Sequence, residues 1–162
     1  MNFKHFFKKI IKDKITRGAV AGTIAGVVME IVNYPFSILN LFEIRPIDFS
    51  YLIVTHHKAH TPLENLTGFI NHLFFASISG VILSYILAKT NYRFPIIKGM
   101  AVGLGTNINL LILASFFNIK PIIEITTTNI LLLDASATFV YGLTLGLILN
   151  YFNKKLNLTP ET

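Results

Sequence analysis

The stretch that decides the fold is GAVAGTIAGVVMEIVNY, residues 18–34. It is apolar over most of its length, has glycine at 18, 22 and 26, and interrupts the apolar run with a carboxylate, Glu30. Positions four apart share one helix face, so the three glycines form a smooth strip that ends at Glu30. Lys4, Lys8, Lys9, Lys12, Lys14 and Arg17 all precede the run. A basic flank before an apolar helix marks the cytoplasmic side of a membrane span. A secretory signal opens similarly, but Glu30 breaks its apolar core and no small-x-small site follows. Residues 19–42 therefore read as a retained first span.

Outward from this stretch, the chain repeats the pattern. It has 162 residues, 52% of them hydrophobic and only 14% charged, and its mean hydropathy is +0.60. A soluble domain carries about 25% charged residues, so there is too little charge here to cover a water-facing surface. Three more apolar runs, at about 66–87, 96–117 and 130–152, are long enough to cross about 30 Å of hydrocarbon at about 1.5 Å per helical residue. The expected fold is all-α: a polytopic membrane four-helix bundle over residues 18–155, with a short cytoplasmic tail over 156–162. Residues 1–17 predict an N-terminal amphipathic interfacial helix, with Phe3, Phe6, Phe7, Ile10 and Ile11 on one face and lysines on the other. Such a helix lies on an anionic inner leaflet.

Local signals place the helix ends. Thr61-Pro62-Leu63-Glu64 reads as a capping box that starts the second helix. Pro95 opens the third, and Thr126, Thr127 and Thr128 offer hydroxyl caps for the fourth. Pro35 removes a hydrogen bond to Ile31 and predicts a kink or stop in the outer part of the first helix. Residues 44–55 are too short to span, and are expected to rest on the outer interface.

The net charge is +6 and there is no cysteine, which removes disulfides, thiolate metal sites and cysteine nucleophiles. With the N-terminus inside, the inner segments hold eleven Lys/Arg and the outer ones three (Arg45, Lys58, Lys120). That asymmetry predicts a cell-membrane protein with both termini cytoplasmic. It also assigns the basic charge to topology and not to nucleic acid.

Each span shows a strip of small residues at i+4 spacing: Gly18, Gly22 and Gly26, then Gly80, then Gly99 and Gly103, then Gly142 and Gly146. Small residues let helix backbones approach closely in lipid, where packing drives association. Beside these strips lie Glu30, Asn33, His72, Asn107 and Asp134, at the midplane or outside it. A carboxylate in hydrocarbon costs about 2.5–3.5 kcal/mol on insertion scales, so Glu30 and Asp134 should face the interior and find partners. His72 is the one base deep enough to serve, and Asp134 is its nearest match in depth. Glu30, His72, Asn107 and Asp134 thus form a candidate proton- or cation-responsive site, and a structural helix-to-helix clamp is the competing reading.

His56, His57 and His60 place three imidazoles within five residues, but no fourth ligand spacing accompanies them and Lys58 adds repulsion, so no metal is expected there. The hydrolase, zinc-protease and phosphate-loop signatures are missing. Neither a cofactor nor an enzymatic activity is expected.

The first helix quoted above, Asp48-Phe49 in the outer loop, the His-containing second helix and the glycine-rich third and fourth together resemble small, uncharacterised four-span membrane proteins of Gram-positive bacteria. The resemblance is one of layout and implies a bacterial inner membrane. It carries no functional residue. Two roles compete: a bundle that assembles with itself or a membrane partner through its glycine strips, and a transporter or channel component with an outward-facing polar pocket.

Overall fold

Residues 11–39, 44–123 and 135–158 are described by the computed structural model. They form α1 (Lys14–Ile38), α2 (Pro46–Thr55), α3 (Pro62–Lys89), α4 (Pro95–Phe116), α5 (Lys120–Ile123) and α6 (Ala135–Lys155), with no strand among them. Helices α1, α3, α4 and α6 are each long and apolar enough to cross a membrane. Most of the expected interfacial helix, the threonines at 126–128, Asp134 and the end of the tail lie outside the described residues.

The helix ends follow from capping chemistry. Asp13 caps α1: its carboxylate accepts from the Thr16 N–H at 2.6 Å and the Thr16 hydroxyl at 2.7 Å. At α3 the capping box forms as the sequence implies. The Thr61 N–H donates to Glu64 Oε2 at 2.9 Å, and the Glu64 N–H donates to Thr61 Oγ1 at 3.3 Å. Pro95 occupies the first turn of α4. Pro35 does not stop α1, which runs on to Ile38 because the Leu39 N–H still reaches the Pro35 carbonyl at 3.1 Å. The proline forfeits its bond to the Ile31 carbonyl and crowds it, yet the turn beyond it still closes on its own carbonyl, so the helix ends one turn later.

Glycine faces weld the spans into two antiparallel pairs. In the first pair, a Cβ on Gly18 would stand 2.6 Å from the Gly80 carbonyl oxygen, and one on Gly22 would strike the Ala76 carbonyl. In the second, a Cβ on Gly103 would stand 2.6 Å from the Thr138 carbonyl, and one on Gly142 2.5 Å from the Gly99 carbonyl. Real Cβ atoms do not come so close, so each pair needs glycine at these positions. The strips therefore pack within the chain: α1 on α3 and α4 on α6. The two pairs join mainly through α1 and α6, whereas α3 and α4 touch only slightly. In α4 only 17% of the apolar stretch is buried within the protein, against 39% in each of the other three spans. The bundle thus has three close sides and one loose seam, between α3 and α4.

The core has two parts. Ala21, Ala25, Leu83, Leu87, Leu145 and Leu149 fill the half of the bundle near the start of α1. Phe49 and Leu52 of α2 pack with Ala114, Ile119 and Ile122 in a second cluster at the opposite end. Helix α2, expected to rest on the outer interface, is also packed against the bundle. It docks on the bundle with Pro46, Phe49, Ser50, Tyr51 and Leu52 buried. Gly68 of α3 permits this, since a Cβ there would lie 2.7 Å from the Ile47 carbonyl.

At the start of α1, Arg17 is buried. Its guanidinium reaches the Ile11 carbonyl and the Ser84 hydroxyl, each at 3.5 Å, and lies 5.8 Å from the centre of the Tyr92 ring. Read from sequence, Arg17 is one of six flanking charges; in the fold it ties the α1 start to α3 and the turn after it.

Candidate functional site

A cavity of about 60 Å³ lies between the four spans beneath α2. By the usual volume per ordered water it has room for a few water molecules or one small polar group. Its back wall is Met29 of α1 with Thr138 and Tyr141 of α6. The sides are His72, Phe75, Ala76 and Ser79 of α3, and Gly103, Thr106, Asn107 and Leu110 of α4. Pro46, Phe49 and Ser50 of α2 form the roof.

Each polar side chain has a structural reason for being there. His72 and Asn107 stand where the two glycine strips run out, so the helices diverge at their level and leave space. The Tyr141 hydroxyl crosses the bundle and donates to the Ala76 carbonyl at 2.7 Å. The Ser79 and Thr106 hydroxyls meet 3.1 Å apart across the α3–α4 seam. The Phe75 and Val102 carbonyls lie 3.1 and 2.8 Å from the Ser79 and Thr106 hydroxyls, so one hydroxyl can donate to its own backbone while the other donates across the seam. This contact forms the cavity floor.

Beside the cavity, His72 Nε2 faces Glu30 Oε1 at 3.5 Å. The two atoms are buried and neither makes a hydrogen bond among the described residues. An imidazole and a carboxyl at this separation can share one proton, or bridge through a water or a ligand atom. Among the described residues the carboxyl beside His72 is that of Glu30; Asp134, its match in depth, lies outside them. The α1–α3 register explains the pairing. Gly26 lies against His72, with a Cβ on it 3.5 Å from Nε2, which puts Glu30, one turn further out, beside the ring. The Asn33 and Asn71 amide nitrogens are also buried without partners among the described residues.

Above this pair an ionic clasp holds the loop before α2. Arg45 donates from Nε to Asp48 Oδ2 at 2.7 Å, and from Nη2 to Asp48 Oδ1 at 2.7 Å and Asn65 Oδ1 at 2.8 Å. The Asp48 carboxylate raises the Arg45 pKa further above its already high ordinary value, chiefly by accepting these bonds. The clasp pins α2 to α3 and so holds the roof in place.

Of the residues the sequence singles out, His72 and Asn107 line the cavity, Glu30 sits behind His72, and Asn33 is buried further out on α1. Asp134 lies outside the described residues. His56, His57 and His60 do not converge: the His57 ring packs edge-on to Tyr51 with centroids 5.4 Å apart, while the His60 N–H donates to Glu64. Among the described residues no three His, Asp or Glu side chains gather as a metal site. Sequence reasoning misses Ser79, Thr106, Thr138 and Tyr141. Single hydroxyls inside apolar helices bond to their own backbone and are common there, but here two face each other across helices. Tyr141 could have been found, since it sits one residue before Gly142 in an otherwise aliphatic span.

No protein-family model matches this chain, and no curated protein or solved structure matches it either.

Proposed function

We propose that this chain is a multi-pass membrane protein that holds a small molecule in its central cavity, as a carrier or transporter component and not as an enzyme. The observation that carries the reading is the cavity itself: a roofed, largely apolar space at the heart of the bundle, into which His72, Asn107 and the Ser79, Thr106 and Tyr141 hydroxyls bring a few polar groups. A bundle evolved only for stability would fill such a space with side chains, because an empty volume forfeits packing and unpaired polar groups add a penalty. Among the described residues, the lining hydroxyls of Ser50, Ser79, Thr106 and Tyr141 bond to carbonyl oxygens or to one another and not to a base. With both termini cytoplasmic, α2 and the Arg45–Asp48 clasp stand on the outer side of the membrane, and the Ser79–Thr106 floor faces the cell interior.

The glycine strips are consumed inside the chain, so assembly with a second copy or another membrane protein would need a different face. The reading is tested by native mass spectrometry on protein purified in mild detergent from its own membrane. Wild-type protein is expected to retain a small molecule at about one per chain, and Asn107→Leu, which fills part of the cavity, to lose it. Equal occupancy in the two proteins, including none in either, would overturn the proposal.

A further inference from the structure

We infer that the cavity is reached sideways from the bilayer, through the seam between α3 and α4, and that its ligand is a neutral amphiphile: an apolar chain with an uncharged hydroxyl or carbonyl head. The inference deepens the proposed binding role and rests on it. Three observations carry it.

The first is where the walls are complete. On the outer side α2 closes the cavity, its Phe49 and Leu52 packing on to Ala114 of α4 and Ile119 and Ile122 of α5. On the inner side lie the Ser79–Thr106 contact and then the leucine core. The back wall is the tight α1–α6 side, where Met29 and Tyr141 are buried. Among the described residues the least complete wall is the fourth. Phe75, Thr106 and Leu110, on the α3 and α4 faces that meet at the seam, are half-buried, whereas every lining residue of α1 and α2 is buried and on α6 Tyr141 is buried and Thr138 alone half-buried. This side of the bundle faces lipid, not water, since α3 and α4 are both candidate spans.

The second is the chemistry of the lining. It contains no Asp, Glu, Lys or Arg. An ionic head would enter a low-dielectric space without a counter-charge in the wall, at a cost of several kcal/mol. A hydroxyl or carbonyl can instead exchange hydrogen bonds with Asn107, His72 or the Ser79–Thr106 pair.

The third is size. The cavity accommodates a few heavy atoms of a head group, not a whole lipid. The rest of the molecule must lie in the seam, where Phe75 and Leu110 offer an apolar bed continuous with the bilayer.

The chain has no tryptophan, so a single introduced indole reports from a chosen place. Phe75→Trp puts it at the cavity mouth, and Phe74→Trp, at a position 61% exposed on the outer face of α3, reports from plain lipid. Both variants are reconstituted in phosphatidylcholine nanodiscs and titrated with 11-bromoundecanol, a neutral amphiphile whose bromine quenches indole fluorescence. Parallel titrations use 11-bromoundecanoate and water-soluble 2-bromoethanol. The Phe75→Trp protein should be quenched saturably by the bromoalcohol, half-maximally at a mole fraction about tenfold below that for the carboxylate, the equivalent of about 1.4 kcal/mol. The Phe74→Trp protein should show only unsaturable quenching. Adding Leu110→Phe, which narrows the mouth, should remove the saturable phase from the Phe75→Trp protein.

Equal, unsaturable quenching in both variants would overturn lateral access. Equal affinity for the alcohol and the carboxylate would overturn the neutral head. Saturable quenching by bromoethanol alone would overturn the bilayer route while leaving the cavity as a binding site, which separates failure of this inference from failure of the proposed function.

Discussion

At the scale of single residues, the site depends on polar groups placed where two helices part. Tyr141 illustrates how little of this is decorative. Its hydroxyl is buried and its bond to the Ala76 carbonyl joins α6 to α3 across the cavity. Tyr141→Phe is expected to lower stability by about 1 kcal/mol, the usual net value of such a bond, read as a fall in Tm in detergent. Asp13 gives a pH dependence of known sign. Its hydrogen bonds from Thr16 hold the carboxyl below its ordinary value of 3.8 in the folded chain. A depressed carboxyl stabilises above the unfolded pKa, and that contribution fades as pH falls through the folded one. Amide exchange at Thr16 and Arg17, with a correction for intrinsic exchange rates, should therefore show the α1 start fraying below about pH 4. Asp13→Ala should fray it at every pH, and pH-independent protection in the wild type would count against the cap.

At the scale of elements, the helix pairs stand on glycine contacts that admit no side chain. Gly22→Leu and Gly103→Leu each drive a branched side chain into a neighbouring backbone, and the pair must separate or the chain misfold. Either change is expected to cost several kcal/mol, beyond the range of ordinary overpacking. Gly105 is the internal control, because nothing lies within 4 Å of a Cβ placed there. Gly105→Ala should alter stability by about 1 kcal/mol or less. Thermal unfolding of the three variants in one detergent checks both statements. Gly68→Leu belongs to the same set but acts on the roof: it should free α2 from α3 and raise proteolytic cleavage around residues 56–60 while leaving the spans intact.

This is also the scale at which the sequence is most and least readable. The helix starts at Pro62 and Pro95 and the apolar character of the four spans follow from capping residues and hydropathy, which are local properties. The strips at Gly18, Gly22, Gly99 and Gly103 are equally visible, but a strip does not say which helix it meets. Register decides that, and with it the pairing of His72 with Glu30. The docking of helix α2 is not legible, because its ten residues carry no record of the groove, opened by Gly68, into which they fall. The cavity hydroxyls are invisible in the sequence for a related reason: Ser79 and Thr106 are 27 positions apart and meet only because α3 and α4 lie side by side.

At the scale of the whole molecule, two glycine-welded helix pairs are joined along α1 and α6 and loose along α3 and α4, with a largely apolar cavity holding a few polar groups behind the loose side. The charge asymmetry predicts that this object sits with both termini inside. Reporter fusions at each end should both be active only in the cytoplasm, and activity outside at either end would reverse the assignment of roof and floor.

The central claim is that the cavity is an open, reachable space within an otherwise solid bundle. With no native cysteine, one labelling comparison tests it. Ser79→Cys, at the cavity floor, and Leu83→Cys, one helical turn inward in the sealed core, are treated in membranes with methyl methanethiolsulfonate, a reagent small enough to enter. Modification is predicted at position 79, with none at 83 on the same timescale. Equal reactivity at the two positions, or no reaction at 79, would contradict the claim.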